Sequence, residues 1–498
     1  MIEDSATTPG VDPCPTDDRP GSGDPPLVVD LDGTLIHTDM LHESGLRVLR
    51  DRPLDALRIP FWLAQGKAVL KRRLAECTSF DPASLPYHRE LLDWLQQQRS
   101  RGRRLVLCTA SDRSVAIAIA DHLDIFDEVM ASDGASNLSG AHKAVALEQR
   151  FGAAGFDYAG NAQADLLVWE RARRAIVVNA DARLAAQAAD CCEVEQVFSP
   201  TALDFAAWLR VLRVHQWLKN VLLFVPVLAA HQLVNADTWL ALLLAFCSFN
   251  LCASSVYIAN DLLDLESDRQ HPRKCARPFA AGLVPAWMGV LLAPLLLVAS
   301  IVLAGYVGGT FLPALLIYFG LTCAYSLWLK RLPLVDCLTL AVLYMLRIVA
   351  GAAAVSMSLS FWLLAFSVFL FLSLAFVKRY AELQTLLIQG KHQAPGRGYA
   401  TSDASLLQMQ GMASGYAAVL VLALYLNSQA VLLLYRSPEF VWGAVLAVLF
   451  WVNWMWMQAH RGHMHDDPLV FAVKDRASLA AGVVVAVFMA FGTLGWSW

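Results

Sequence analysis

The chain has 498 residues, 57% of them hydrophobic and only 16% charged, so it has room for two or three domains and the balance of a membrane protein. A formal net charge of −4 argues against general nucleic-acid binding. Ten cysteines without a CxxC pair argue against both a disulfide framework and a zinc site. The apolarity is uneven: residues 1–209 carry charge at ordinary globular density, whereas 220–498 are mostly apolar runs of membrane-spanning length.

Residues 1–26, rich in Pro, Asp, Gly and Thr, read as a disordered lead without a signal-peptide pattern. This predicts a cytoplasmic location for the charged, globular half of the chain. Leu27-Val28-Val29-Asp30-Leu31-Asp32-Gly33-Thr34-Leu35 is a short β-branched run ending in two acids and a glycine turn. A buried parallel strand ends in that way at its carboxyl edge. Arg104–Cys108 is a second run, ending in Thr109-Ala110-Ser111. Lys143 lies on a helical stretch, Tyr158-Ala159-Gly160-Asn161-Ala162-Gln163-Ala164-Asp165 comes next, and a further strand occupies Ala175–Asn179. Strands alternating with helices, with polar residues at strand ends, predict a doubly wound α/β domain.

These four motifs in order resemble the haloacid dehalogenase (HAD) superfamily of phosphohydrolases over roughly 27–195. The resemblance implies a HAD-like Rossmannoid domain with a helical cap at about 36–100. It also implies Asp30 as nucleophile, Asp32 as acid/base, Thr109 bonded to the transferred phosphoryl group and Lys143 neutralising its charge. Mg²⁺ would sit among Asp30, Asp32, Asn161 and Asp165. A carboxylate can attack phosphorus only where a metal and a cation suppress the repulsion between them. Asn161 stands where the family usually has an acid, which removes a charge from that set. The bland alternative is a degenerate, structural phosphatase domain.

Residues 196–218 read as a linker, with Trp208–Lys219 (WLRVLRVHQWLK) as an interfacial helix. Nine apolar segments come after it, at roughly 219–235, 239–259, 285–305, 308–328, 337–355, 360–377, 414–434, 439–458 and 478–497. With a cytoplasmic amino terminus, Arg269, Arg273, Lys274, Arg277, Lys330, Arg331, Lys378, Arg379, Lys391, Arg397, Arg461, Lys474 and Arg476 all fall in inside loops, and only Arg436 outside. That asymmetry fits a multi-pass protein of a bacterial-type cell membrane with its charged motifs on the cytoplasmic face.

Asn260–Gly282 (NDLLDLESDRQHPRKCARPFAAG) is the densest of those motifs. Asp261, Asp264 and Asp268, spaced i, i+3 and i+7, would line one helix face and hold divalent metal. Arg273, Lys274 and Arg277 could hold the phosphates that such a metal bridges. Three more inside regions join it: Tyr325–Lys330 with Asp336 and Arg347, Lys378-Arg379-Tyr380-Ala381-Glu382, and His463–Pro468 with Lys474-Asp475-Arg476. Each has a plainer reading. Lys330-Arg331 and Lys378-Arg379 could be topology anchors, and His463 and His465 ordinary surface histidines. Arg347 falls inside a span, where a cation usually faces an interior cavity.

NDxxDxxxD, HPRKxxRP, the segment count and Gln216-Trp217-Leu218-Lys219-Asn220 resemble the UbiA prenyltransferase superfamily over about 205–498, in particular its decaprenyl-phosphate phosphoribosyltransferase group. The resemblance implies an all-α domain of about nine transmembrane helices. Asn260, Asp261, Asp264 and Asp268 would hold Mg²⁺. Lys219, Asn220, Arg273, Lys274, Arg277, Tyr325, Lys330, Asp336, Arg347, Lys378 and Arg379 would bind substrates. Asp336 lacks an acidic partner four residues on, where Leu340 sits, and Lys330 and Arg347 supply cations instead. The partners implied are a polyprenyl lipid phosphate and a phosphorylated sugar or prenyl diphosphate, among membrane lipids. A conventional prenyltransferase with an accessory phosphatase stays open. So does a transporter with a regulatory domain, although no inverted repeat is visible.

Overall fold

The computed structural model describes residues 24–495 apart from 134–136, 201–202, 232–235, 395, 429–430, 432–434 and 465–466. The expected lead at 1–26, His465 and parts of the first, seventh and ninth apolar segments thus lie outside the described residues, the lead except for Asp24–Pro26. The chain forms two compact units. The first joins Met1–Ala202 with Leu265–Ala276 and Ala280–Ala286; the second joins Leu203–Asp264 and Arg277–Phe279 with Trp287–Trp498.

The first unit is built on six parallel strands in the order β3-β2-β1-β4-β5-β6. These are β1 (Leu27–Val29), β2 (Leu105–Asp112), β3 (Glu128–Ser132), β4 (Asp157–Gly160), β5 (Arg174–Val178) and β6 (Glu193–Phe198). Each residue of β1 is fully buried, as a strand covered on both faces requires. Between β1 and β2 run α1 (Met40–Asp51), α2 (Pro53–Ala56), α3 (Ile59–Ala64), α4 (Lys67–Cys77) and α5 (Arg89–Ser100). Val48, Trp62, Leu70 and Leu74 give the stretch through α4 a small core of its own. Leu91 and Leu95 of α5 pack instead with the sheet, so the self-contained cap stops short of residue 100.

The remaining helices of this unit are α6 (Arg113–Leu123), α7 (Ala141–Phe151), α8 (Leu166–Trp169) and α9 (Ala182–Cys191). Asp39, Asp112 and Asp181 each accept a backbone N–H at the start of α1, α6 and α9, so an Asp before each apolar run sets the turn. The sheet reverses its winding between β1 and β4, which places the carboxyl ends of β1, β2 and β4 around one crevice.

The second unit is helical. It begins with α10 (Phe205–Val211), a 3-10 stretch Val214–Phe224 and α11 (Val225–Ala229). Long helices come next: α12 (Ala236–Leu263), then α13 (Leu265–Gln270) in the segment assigned to the first unit, α14 (Ala286–Val307), α15 (Phe311–Leu327), α16 (Val335–Ala354), α17 (Phe361–Ile388) and α18 (Ala404–Tyr425). The chain ends with α19 (Val441–His460), α20 (Pro468–Lys474) and α21 (Arg476–Leu494).

Each of the nine expected segments meets a helix, but only seven among the described residues are long and apolar enough to cross a membrane alone. The fourth, α15, is a shorter apolar helix bounded by Gly308-Gly309 and the turn at Trp328. The first, expected over 219–235, falls in the second half of a bent pair, Phe205–Val211 and Val214–Ala229, which meet at 57°. The single interfacial helix expected over 208–219 is therefore split, because Arg213 takes a left-handed conformation (φ 51°) between α10 and the 3-10 stretch. Lys219 and Asn220, both buried in the second piece, find polar partners inside the bundle.

Candidate active sites of the two units

In the first unit the motif residues converge at the carboxyl ends of β1, β2 and β4. Asp30 Oδ1 accepts from Lys143 Nζ at 2.8 Å and from the Leu31 amide at 2.9 Å. Its Oδ2 has no hydrogen-bond partner among the described residues and is the oxygen free to react or to meet a cation. Lys143 Nζ also reaches the Tyr158 hydroxyl at 2.9 Å, and that hydroxyl donates to Asp165 Oδ1 at 2.9 Å. Burial pushes Asp30 above the ordinary carboxylate range, offset in part by the Lys143 ammonium. For Lys143 burial acts downward, but Asp30 and Asp165 outweigh it and hold it above its usual value. Asp32 accepts from Ser111 Oγ at 2.7 Å and from the Met40 amide at 2.9 Å. Burial first, and then the Asp39 carboxylate, push it up to about 7. A carboxyl in that range can hold a proton near neutrality, as a general acid must.

Thr109 is fully buried, with its hydroxyl accepting from the Ser111 amide at 3.0 Å. Asn161 Oδ1 accepts from Thr34 Oγ1 at 3.1 Å. Gly33 adopts φ 76°, and a Cβ there would run into the Asn161 side chain, so the DxDGT turn needs its glycine. Asp165 is spent: Oδ2 accepts from the Asn161 and Ala162 amides at 3.0 and 2.9 Å, and Oδ1 takes Tyr158. Its carboxylate orients the loop beneath Asn161. Two residues without a sequence signal join the site. Tyr158 links Lys143 to Asp165, and Lys71 of α4 donates to the Ala110 carbonyl at 2.6 Å.

In the second unit the expected binding residues divide into three groups. Asp261 accepts from Arg213 Nε at 3.1 Å and from Arg277 Nη1 at 3.0 Å, while Asn260 donates to Ser326 Oγ at 3.0 Å. Asp264 and Lys330 have no side-chain partner among the described residues. The second group is a buried ionic network. Asp336 pairs with Arg379 at 2.6 Å and accepts from Tyr399 at 2.5 Å, and Arg397 reaches it at 3.4 Å and Tyr325 at 3.5 Å. Arg379 also meets Glu382, so both of these expected residues are engaged with protein groups.

The third group centres on Asp467. Lys219 Nζ lies 2.8 Å and Lys378 Nζ 3.2 Å from its Oδ2, and Tyr344 donates to Oδ1 at 2.9 Å. Burial opposes ionisation of Asp467, yet Lys378 and Lys219 outweigh it and hold the carboxyl well below its ordinary range. Arg347 lies beside this group, 5.6 Å from the Tyr344 ring centre, and its Nε donates to Asn220 Oδ1 at 2.8 Å. The Arg347 guanidinium also donates to the Leu343 carbonyl at 2.5 Å and to Tyr318 at 3.1 Å, and lies 4.9 Å from the Tyr318 ring centre. All of these Arg347 partners are neutral.

The motif 260–282 does not present its three acids on one uninterrupted helix. Helix α12 ends at Leu263 and α13 starts at Leu265, and Asp268 and Arg269 belong to the segment grouped with the first unit. There Arg269 pairs with Glu43 at 2.6 Å, Lys274 approaches buried Asp268 at 3.8 Å, and Arg273 is exposed. Among the described residues no three His, Cys, Asp or Glu side chains group tightly enough to hold a metal ion.

Comparison with known proteins separates the two halves in the same way. The model of the UbiA prenyltransferase family matches residues 221–474, just over half the chain, and that of the haloacid dehalogenase-like hydrolases matches 27–168. An uncharacterized protein of Sinorhizobium fredii is 38% identical over 464 residues, covering 93% of this chain and 90% of its own. The nodulation protein NoeC of Azorhizobium caulinodans is 37% identical over 293 residues, 58% of this chain and 94% of its own. A decaprenyl-phosphate phosphoribosyltransferase of Mycolicibacterium smegmatis is 36% identical over 196 residues, 39% of this chain and 62% of its own length. The chain is a multi-pass membrane protein with a haloacid dehalogenase-like N-terminal domain, and it belongs to the UbiA prenyltransferase family.

Proposed function

We propose that the helical unit transfers a 5-phosphoribosyl group from phosphoribosyl diphosphate to a polyprenyl phosphate, and that the N-terminal domain removes the 5-phosphate from the lipid-linked product. The observation that carries the first step is the pairing of two lysines, Lys219 and Lys378, with one carboxylate among the described residues, Asp467, while buried Arg347, 5.6 Å from the Tyr344 ring centre, bonds only neutral groups. Such a surplus suits two substrates that both carry phosphate. The 36% identity with a decaprenyl-phosphate phosphoribosyltransferase supports the same reading.

In the transfer, a phosphate oxygen of the lipid attacks the anomeric carbon and pyrophosphate leaves. Asn260, Asp261, Asp264 and Asp268 have the hard oxygen donors that Mg²⁺ prefers, and a bound Mg²⁺ would neutralise charge on the leaving diphosphate. Arg273, Lys274 and Arg277 would hold its phosphates. No protein nucleophile is needed. The lysine and arginine asymmetry supports a cytoplasmic location for these loops and for the N-terminal domain.

In the hydrolase domain Asp30 Oδ2 would attack phosphorus, Asp32 would protonate the departing oxygen, and Lys143 and Thr109 would hold the phosphoryl oxygens. Asp30, Asp32 and the amide oxygen of Asn161 fit Mg²⁺, which would screen the attacking carboxylate from the phosphate; Asp165 supports them. Asn161→Asp adds a formal charge to that set. It is expected to lower the Mg²⁺ concentration for half-maximal phosphate release by about tenfold. An unchanged metal dependence would place Asn161 outside the metal site.

The transfer reading is tested with membranes given either labelled phosphoribosyl diphosphate or labelled prenyl diphosphate, followed by lipid extraction. Label from the first is expected in the lipid fraction. Transfer only from the second would replace this reading with a conventional prenyltransferase.

A further inference from the structure

Asp467, in the motif His463–Pro468, occupies a central position. It touches groups from three other elements: Lys219 of the 3-10 stretch, Tyr344 of α16 and Lys378 of α17. One oxygen takes both ammonium groups and lies 3.1 Å from the Tyr344 hydroxyl; the other takes that hydroxyl at 2.9 Å and the Leu469 amide at 3.3 Å. Among the described residues two cations share one carboxylate here, and Arg347, 5.6 Å from the ring centre of the same Tyr344, adds a third cation whose hydrogen-bond partners are neutral. A buried excess of positive charge is costly unless an anion arrives to balance it.

The mechanical asymmetry is as telling as the charge. Lys378 and Tyr344 sit on helices of 28 and 20 residues, packed in the bundle. Asp467 sits on the connection between α19 and α20, which opens with Gly462 at φ 73° and leads into a helix of only seven residues. Lys378 and Tyr344 thus sit on long regular helices, whereas the carboxylate sits on a connection, where it also caps α20 through the Leu469 amide. Asp467 also borders a cavity of about 520 Å³ walled by Trp217, Leu218, Val221, Phe246, Val470 and Val473. The wall is mostly apolar, with His215, Gln216 and Lys474 also lining it, and such a space beside a cationic pair matches a phosphate carried on a hydrocarbon chain.

We propose that Lys219, Lys378 and the Tyr344 hydroxyl form a binding site for a substrate phosphate, and that Asp467 is its internal counter-ion, displaced when that phosphate enters. The inference rests on the transferase reading and adds to it the place of one phosphate and a competitor built into the chain. A phosphate monoester carries up to two charges and three acceptor oxygens, so it satisfies two ammonium groups and a hydroxyl better than a single carboxylate does. The phosphate could belong to the lipid acceptor or to the diphosphate donor; the chemistry is shared.

The test is direct binding to the full-length protein in detergent, with geranyl phosphate and inorganic pyrophosphate as probes. Asp467→Asn keeps the shape and an acceptor for Tyr344 but removes the competing charge. Its Kd for one probe is expected to fall about tenfold. A fall for geranyl phosphate assigns the site to the acceptor, and a fall for pyrophosphate assigns it to the donor. Lys219→Gln should weaken the same probe by tenfold or more. Unchanged or weaker binding of both probes by Asp467→Asn would overturn the proposal and leave Asp467 a structural ion pair. Binding is read without turnover, so a chain unable to transfer phosphoribosyl groups would sink the functional reading alone.

Discussion

Replacing Asp30 by asparagine is expected to cut phosphate release by about 10³-fold or more, while lipid labelling from phosphoribosyl diphosphate continues. Membranes carrying the variant should then accumulate a phosphorylated lipid that wild-type membranes convert. The argument starts from geometry. Lys143 and the Leu31 amide both bond Asp30 Oδ1, which leaves Oδ2 as the free oxygen. An amide can still accept those two bonds, so the fold should survive, but it has no anionic oxygen with which to attack phosphorus. Tyr158 and Asp165 still face Lys143 and keep its charge balanced. Thin-layer separation of the labelled lipids reads both effects at once. Loss of phosphate release without the phosphorylated lipid would show that the tethered domain works on another substrate, because tethering helps only a product made nearby.

Much of this was legible in the sequence, and for identifiable reasons. DxDGT after a β-branched run, Thr109 after another and Lys143 on a helix mark strand ends and turns, which are local features. The structure brings them together around the β1–β4 crevice. The helical segments were equally plain, since apolar length alone announces them. What spacing could not reveal was how polar groups pair across long sequence distances. Asp336 with Arg379 and Tyr399, Arg213 with Asp261, and Asp467 with Lys219 are contacts between separate elements. Arg347 was read as facing a cavity, and its neutral partners Asn220 and Tyr318 come from two other segments. The bend ahead of the first apolar run is a local backbone turn at Arg213, to which a hydropathy average is blind. The same average passes over Lys219 and Asn220, whereas folding must find partners for each of them.

The neighbouring acids Asp261 and Asp264 separate a structural from a chemical role within one motif. Asp264 has no side-chain partner among the described residues, so Asp264→Asn removes charge and little else. It is expected to lower transfer by about 10²- to 10³-fold with an unchanged melting temperature, because its value lies in the charge it offers Mg²⁺ and diphosphate. Asp261 is different. It is buried and engages Arg213 and Arg277, and Arg213 also lies 5.2 Å from the Tyr257 ring centre. Asp261→Asn should abolish transfer to a similar degree and also destabilise the protein, by roughly 3 kcal/mol, since the Arg213 and Arg277 guanidinium groups lose a carboxylate they share. Thermal melts of the detergent-solubilised variants, run beside the lipid-labelling assay, distinguish the two. Full transfer by Asp264→Asn would remove it from the metal-binding set and leave Asp261 as a purely structural tie. Loss of transfer by both, with only Asp261→Asn melting early, fits a motif in which one acid holds the arginines in place and the next is kept uncommitted for the substrate.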